Sequence, residues 1–145
     1  MTIERAKECV TTENHHIFRY FDDVWICEIS AADGQDFSVE IYQEEYDDEL
    51  LVRILSFLET DAFDTLKSDG LAQLAILSTA FWGAGYSDAA FDFQGVTIGM
   101  DSDSDLSDFQ LIYHMSSALN DFDDYANWIV DIKDYRVVGV RRQQL

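Results

Sequence analysis

The chain has 145 residues, a length typical of one domain with a core of its own. Hydrophobic residues make up 48% and aromatic residues 14%, which excludes an intrinsically disordered chain. The 29 acidic residues against 9 basic ones give a net charge of −20. Such a charge excludes proteins that bind nucleic acid or anionic membranes through a basic surface.

The compartment follows from what the chain lacks. No run of 18 apolar residues is present, so we expect no transmembrane helix. The first 16 residues, MTIERAKECVTTENHH, lack the apolar stretch of a signal peptide, and we expect a cytoplasmic protein. Cys9 and Cys27 are then expected to be free thiols, because disulfides are rare in reducing compartments.

The first part of the chain indicates strands. Residues 1–16 are polar, and we expect a loose or helical lead-in there. Three runs with strand composition follow, at 17–21, 24–30 and 37–42. Asp22-Asp23 separates the first run from the second, and Asp33-Gly34 predicts a turn before the third. Side-chain alternation predicts one shared buried face, made of Trp25, Cys27, Ile29, Phe37, Val39 and Ile41.

Two amphipathic helices are predicted next. The first covers 47–59, with acidic residues in its first turn and a buried stripe of Leu50, Leu51, Ile54, Leu55 and Leu58. The second covers 68–83, capped by Ser68 or Asp69, with Gly83 as the left-handed residue after its end. Its predicted face consists of Leu71, Leu74, Ala75, Leu77, Ser78, Phe81 and Trp82. Residues 60–67 are expected to link the two helices.

Strand composition returns in the last third of the chain. The runs are 93–100, 109–115, 127–132 and 136–142. The last two read as a hairpin, and 116–126 is expected to form a short helix. Strands, then two helices, then strands predict an α+β fold: an antiparallel sheet with two consecutive amphipathic helices packed on one face. No linker or repeat divides the chain, so a single domain over 1–145 is expected.

No motif predicts chemistry. Asp101, Asp103 and Asp105 have the spacing of a calcium loop, but Leu106 and Ile112 stand where such a loop needs glycine and glutamate. We therefore expect a solvated acidic loop. His15-His16 and His114 lack partners at zinc-site spacing, and the histidine pair is interpreted as part of an exposed lead-in. No catalytic residue, metal or cofactor is predicted.

Acidity, size and α+β character together suggest a family. The acidic segments are EEYDDE (44–49), DSDSDLSD (101–108) and NDFDDY (120–125). In these features the chain resembles the small acidic cytoplasmic immunity proteins that bacteria pair with toxin domains, many of them cationic nucleases. The resemblance implies a non-catalytic protein that blocks a basic protein, such as a cognate toxin domain. The net charge of −20 predicts no direct contact with nucleic acid or membrane.

Two acidic segments, with their aromatic residues, are the predicted contact sites. Carboxylates there would steer a basic partner and aromatic rings would anchor it. The candidate residues are Glu44, Glu45, Tyr46, Asp47, Asp48, Asp121, Asp123, Asp124 and Tyr125. Further candidate anchors are Tyr42, Trp82, Tyr86 and Phe122. Two alternatives are a DNA mimic that inhibits a nucleic-acid-binding protein, and a small enzyme with an unrecognised carboxylate site.

Overall fold

The computed structural model describes residues 5–12, 14–30, 36–43, 47–83, 90–99, 107–116 and 126–144. Within these residues the chain forms one sheet of eight strands and two helices. The strands are β1 (Arg5–Val10), β2 (His15–Phe21), β3 (Val24–Ser30), β4 (Asp36–Ile41), β5 (Ala90–Ile98), β6 (Phe109–Ser116), β7 (Ala126–Lys133) and β8 (Arg136–Gln144). The helices are α1 (Asp48–Leu58) and α2 (Asp61–Trp82). The predicted α+β class is confirmed. No helix in the described part of the chain is long and apolar enough to cross a membrane.

The order of the strands in the sheet is their order in the sequence. Every neighbouring pair is antiparallel except β4 and β5, which run parallel. This pair departs from the predicted antiparallel sheet because the two helices connect its strands, and a helical crossover starts the next strand in the same direction. Gly95 is required at this pair, since a Cβ there would collide with the carbonyl oxygen of Ser38.

The two predicted hairpin breaks are tight two-residue turns. Asp22 and Asp23 have φ of 53° and 68°, and Asp134 and Tyr135 have φ of 52° and 61°. Positive φ at both central residues matches the right-handed twist of antiparallel strands. These turns hold β2 to β3 and β7 to β8 in register.

The predicted lead-in is wrong over the part that the structure describes. Residues 5–10 form β1, which pairs with β2 along its whole length. Only Cys9 of this edge strand is buried, so its sequence lacks the apolar alternation of a central strand. Residues 1–4 lie outside the described residues.

Helix α1 is confirmed. Asp47 caps it, and its carboxylate accepts hydrogen bonds from the backbone N–H groups of Glu49 (3.0 Å) and Leu50 (3.2 Å). Four of the five predicted stripe residues are buried and Leu50 is half-buried.

Helix α2 is longer than predicted. It begins at Asp61, so residues 60–67 supply its N-cap and first two turns, and neither Ser68 nor Asp69 caps it. The acids Asp61 and Asp64 in its first turn favour this start. The buried face consists of Phe63, Leu66, Gly70, Leu74 and Ser78. Phe81 and Trp82, which were predicted to be buried, are 52% and 38% exposed.

The core lies between the helices and the inward-facing side chains of the sheet. Helix α2 packs on β7 and β8, and α1 packs on β1. The predicted shared face is confirmed in its register, because Trp25 pairs with Ile41, Cys27 with Val39 and Ile29 with Phe37. Ile29 is half-buried and the other five are buried. The predicted turn at Asp33-Gly34 and the Asp101–Asp105 loop lie outside the described residues, as does all of the predicted helix over 116–126 but its two end residues, which belong to β6 and β7.

Candidate functional site

Two of the nine predicted contact residues belong to the described part of the chain. Seven of the nine lie outside the described residues: Glu44, Glu45, Tyr46, Asp121, Asp123, Asp124 and Tyr125. Asp47 and Asp48 are described, and both have structural contacts. Asp47 caps α1, and the Asp48 carboxylate pairs with the Lys7 ammonium of β1 at 2.6 Å. Of the further anchors, Tyr42 and Trp82 are 40% and 38% exposed, and Tyr86 and Phe122 lie outside the described residues.

A cleft opens where β2 and β3 diverge. The two strands pair only through Arg19–Phe21 and Val24–Ile26. Beyond that, the first half of β2 pairs with β1 and the second half of β3 pairs with β4. The corner between α1 and α2 closes one end of the gap, leaving a cleft of about 910 Å³. We call it the corner cleft, and its described lining is Thr12, Asn14, His15, His16, Glu28, Ile29, Ser30, Phe37, Ser56, Leu58, Glu59, Thr60, Asp61, Phe63, Asp64 and Lys67.

Glu59 forms hydrogen bonds with several side chains in the wall of this cleft. It follows α1 directly, and its side chain is 13% exposed. Its carboxylate accepts hydrogen bonds from the Thr11 hydroxyl (2.7 and 2.9 Å), the Asn14 amide (3.1 Å) and His16 Nε2 (3.0 Å). Burial opposes ionisation of Glu59, but these three hydrogen bonds outweigh it and hold the pKa of Glu59 below its usual value. The carboxylate therefore stays ionised and fastens the turn between β1 and β2 to the helical corner.

The interpretation of His15-His16 as an exposed pair is wrong for His16. His15 is exposed and lies 3.0 Å from a Glu8 oxygen, whereas the His16 side chain is 8% exposed. Alternation along β2 places His16 on the same inward face as Phe18. The alternation of inward and outward residues along β2 is the sequence pattern from which the burial of His16 could have been predicted. Its partner Glu59 lies 43 residues away, so no local pattern could identify the contact.

The mouth of the cleft is acidic. Glu28, Asp61 and Asp64 line it in addition to Glu59, and Lys67 is its one cation among the described lining residues. The Lys67 ammonium lies 3.6 Å from Asp64 and 4.8 Å from the centre of the Phe63 ring. Phe37, Phe63 and Ile29 add apolar surface. Carboxylates around an apolar wall suit a lysine or arginine side chain, which has an apolar stem and a charged end.

The thiols nearby are not activated. Cys9 lies opposite His16 in the β1–β2 ladder. Burial raises the pKa of Cys9, and the negative charge of Asp48 raises it further. Burial also raises the pKa of Cys27. Both side chains are therefore neutral thiols at neutral pH and behave as small core residues. No cluster of three His, Cys, Asp or Glu residues with the geometry to hold a metal occurs in the described part of the chain.

Comparisons of the chain with protein-family models, curated proteins and solved structures found no match.

Proposed function

We propose that this chain is a non-catalytic acidic binding protein that neutralises a basic protein partner, in the manner of an immunity protein that blocks a nuclease-like toxin domain. The observation that carries the proposal is the excess of exposed carboxylates over basic residues, five of which contact acidic or aromatic side chains. Lys7, Lys67 and Arg141 form ion pairs with Asp48, Asp64 and Asp131. Arg5 and Arg142 lie over aromatic rings.

Carboxylates, in contrast, dominate the exposed surface. Exposed acids among the described residues are Glu8, Asp22, Asp23, Glu28, Asp36, Asp47, Asp48, Glu49, Asp61, Asp64, Asp69, Asp92 and Asp134. A net charge of about 2–8 in magnitude is enough to keep a small domain soluble. The excess provides long-range attraction to a positively charged protein.

The corner cleft adds a specific place for such attraction. Three exposed carboxylates and an apolar wall surround a space large enough for a basic side chain. Glu59 is already occupied by hydrogen bonds from three side chains, which favours a fixed binding wall over a general base.

Binding kinetics test the proposal. Basic proteins captured from the source organism at low salt are purified, and their association with the chain is followed by stopped flow at low and high salt. We expect the association rate to fall steeply as salt screens charges beyond about 8–10 Å. The dissociation rate should change far less, because it depends on desolvated contacts. Capture of no basic protein, or an association rate that ignores salt, would overturn the proposal.

A further inference from the structure

The sheet has an outward surface, opposite the helices, that differs between its two halves. The ladders place Ala6, Arg19, Ile26, Glu40, Thr97, Gln110, Asp131 and Gly139 in one row across all eight strands. On β5–β7 this surface is buried: Thr97 is 5%, Gln110 2%, Ile112 8% and Ile129 0% exposed. On β1 and β2 it is exposed, and on β3 and β4 its residues are exposed or half-buried, so we call β1–β4 the open half.

Large apolar side chains concentrate on the open half. Val10, Ile17, Phe21 and Tyr42 are 61%, 45%, 73% and 40% exposed. They are four of the nine large exposed hydrophobic residues in the described part of the chain. All four lie on the outward side of the sheet. Val10 pairs with the outward His15, Ile17 with Glu8 and Phe21 with Val24, and the Tyr42 hydroxyl bonds to the outward Glu40. Exposed apolar groups gathered in this way mark interaction surfaces more than scattered ones do.

Carboxylates alternate with these apolar groups. Glu8 pairs with Ile17, and Glu40 pairs with Ile26. Asp22 and Asp23 follow Phe21 in the turn, and both are exposed. Arg19 is the cation in this region, and His15 lies 3.0 Å from Glu8. The charge of the surface is therefore negative, and it complements a basic surface rather than a second copy of this acidic chain.

The side chain of Tyr42 is held in position on this surface by a hydrogen bond. The Tyr42 hydroxyl donates a hydrogen bond of 2.6 Å to a Glu40 carboxylate oxygen two residues away on the same side of the strand. The bond limits the freedom of both side chains before any partner arrives. Tyrosine beside a charged group is typical of the residues that dominate protein interfaces.

We propose that this surface, the open sheet face formed by Glu8, Val10, Ile17, Arg19, Phe21, Ile26, Glu40 and Tyr42, is where the chain binds its basic protein partner. The proposal rests on the proposed function and assigns its interface. Phe21, Ile17 and Tyr42 bury apolar surface against the stems of the partner's lysine and arginine side chains. Glu8, Glu40 and the turn acids pair with the charged ends. None of these eight residues belongs to the predicted segments at 44–48 and 121–125.

The first test uses a defined probe, the peptide acetyl-Arg-Trp-Arg-Leu-Arg-Trp-Arg-amide, added to the isotope-labelled chain at about 150 mM salt, where long-range attraction is screened. We expect backbone amide signals of Ile17, Phe21 and Glu40 to shift in a saturable way. An analogue with glutamine in place of arginine should shift them little. Shifts confined to the corner cleft or α2 would overturn the assignment of the face and leave the binding of basic ligands intact.

The second test uses matched variants and the purified basic partner. Phe21→Ser and Ile17→Ser should each weaken binding by about tenfold, because each removes a large contact from the interface. The control Ile76→Ser removes a side chain that is 71% exposed on α2, and it should change affinity less than about twofold. Glu40→Gln should slow association more than Asp69→Asn, which removes one charge from α2.

The outcomes separate the two proposals. Thermal midpoints of all variants show whether each is folded, and Glu40→Gln tests the face without removing apolar surface. If the partner binds wild type and the Phe21, Ile17 and Glu40 variants equally, the face assignment is wrong and the proposed function stands. If wild type binds neither the peptide nor any basic protein, both are wrong.

Discussion

Gly70 of α2 lies directly against Val130 of β7. A Cβ placed on Gly70 would stand 3.0 Å and 3.1 Å from the two γ-carbons of Val130, closer than nearly all such contacts in proteins. Both residues are buried. The absence of a side chain at position 70 therefore allows the long helix to approach β7 closely.

This contact predicts the sign of a substitution. In an exposed helix Gly→Ala gains about 1 kcal/mol, but overpacking a filled core costs about 1–3 kcal/mol. We expect Gly70→Ala to lower the free energy of unfolding by about 1 kcal/mol in denaturant titrations. In a Val130→Ala background the clash is gone, so the same change should stabilise the protein. Stabilisation in the wild-type background would show that α2 does not approach β7 this closely.

Strands β6 and β7 bury residues on both faces, so their orientation is not marked by alternation. The first half of the sheet could be predicted from the sequence, because β3 and β4 bury alternate residues. Trp25, Cys27 and Val39 show this directly. The face of α2 was predicted only in part: Leu74 and Ser78 are buried as expected, but Gly70 lies buried against Val130 while the larger Phe81 and Trp82 remain partly exposed. A hydrophobic pattern ranks side chains by size and polarity, so it misses a contact made through small residues.

The candidate surfaces were less predictable than the fold. The corner cleft depends on the divergence of β2 from β3 and on a contact between His16 and Glu59. Neither has a local sequence pattern. The open sheet face depends on the alternation of Ile17, Arg19 and Phe21, but only the structure shows that these three side chains are exposed.

Tyr113 offers a test of the core. It is 1% exposed on β6, and its hydroxyl has no hydrogen-bond partner among the described residues. Burial raises the pKa of this phenol, so the group is neutral. An unsatisfied buried hydroxyl costs about 1–3 kcal/mol, and we expect Tyr113→Phe to raise the free energy of unfolding by about 1 kcal/mol.

A matched control for this change is Tyr20→Phe. The Tyr20 hydroxyl donates a hydrogen bond of 3.3 Å to Asp23 at the surface, so its loss should be neutral or slightly destabilising. Destabilisation by Tyr113→Phe that exceeds the effect of Tyr20→Phe would mean that the buried hydroxyl is hydrogen bonded.

Glu59 predicts a pH dependence of stability. Hydrogen bonds from His16, Thr11 and Asn14 hold the pKa of Glu59 in the folded chain below its usual value, so these contacts contribute fully above the usual pKa of a glutamate. As pH falls, the Glu59 carboxylate is protonated in the unfolded chain before it is protonated in the folded chain. The stability that its hydrogen bonds contribute therefore decreases, and it is lost once pH has fallen through the folded-state pKa. Glu59→Gln removes the carboxylate but keeps a similar shape. We expect the stability gap between wild type and this variant to be constant near neutral pH and to narrow below about pH 4.5 in acid titrations.

His15 and Glu8 provide the control for the acid titration. This pair is exposed, so Glu8→Gln should leave the acid limb of the stability curve almost unchanged. If the difference in free energy of unfolding between wild type and Glu59→Gln stays constant down to strongly acidic pH, Glu59 does not stabilise the fold as an ionised hydrogen-bond acceptor.

The acids at the start of α1 predict an effect on partner association with little effect on folding. Asparagine caps helices about as well as aspartate, so Asp47→Asn should keep α1 intact. Asp48→Asn removes the ion pair with Lys7. The side chains of Lys7 and Asp48 are 34% and 71% exposed, and ion pairs at the surface contribute little to stability. The double variant therefore removes two negative charges with a small loss of stability.

Under the proposed function, we expect this double variant, Asp47→Asn with Asp48→Asn, to slow association with the basic partner at low salt and to leave dissociation unchanged. The double variant Asp134→Asn with Asp92→Asn, which removes two exposed charges elsewhere, is the control. Equal slowing by both pairs would show that only the total charge matters and that the segment at 44–48 has no special part in steering.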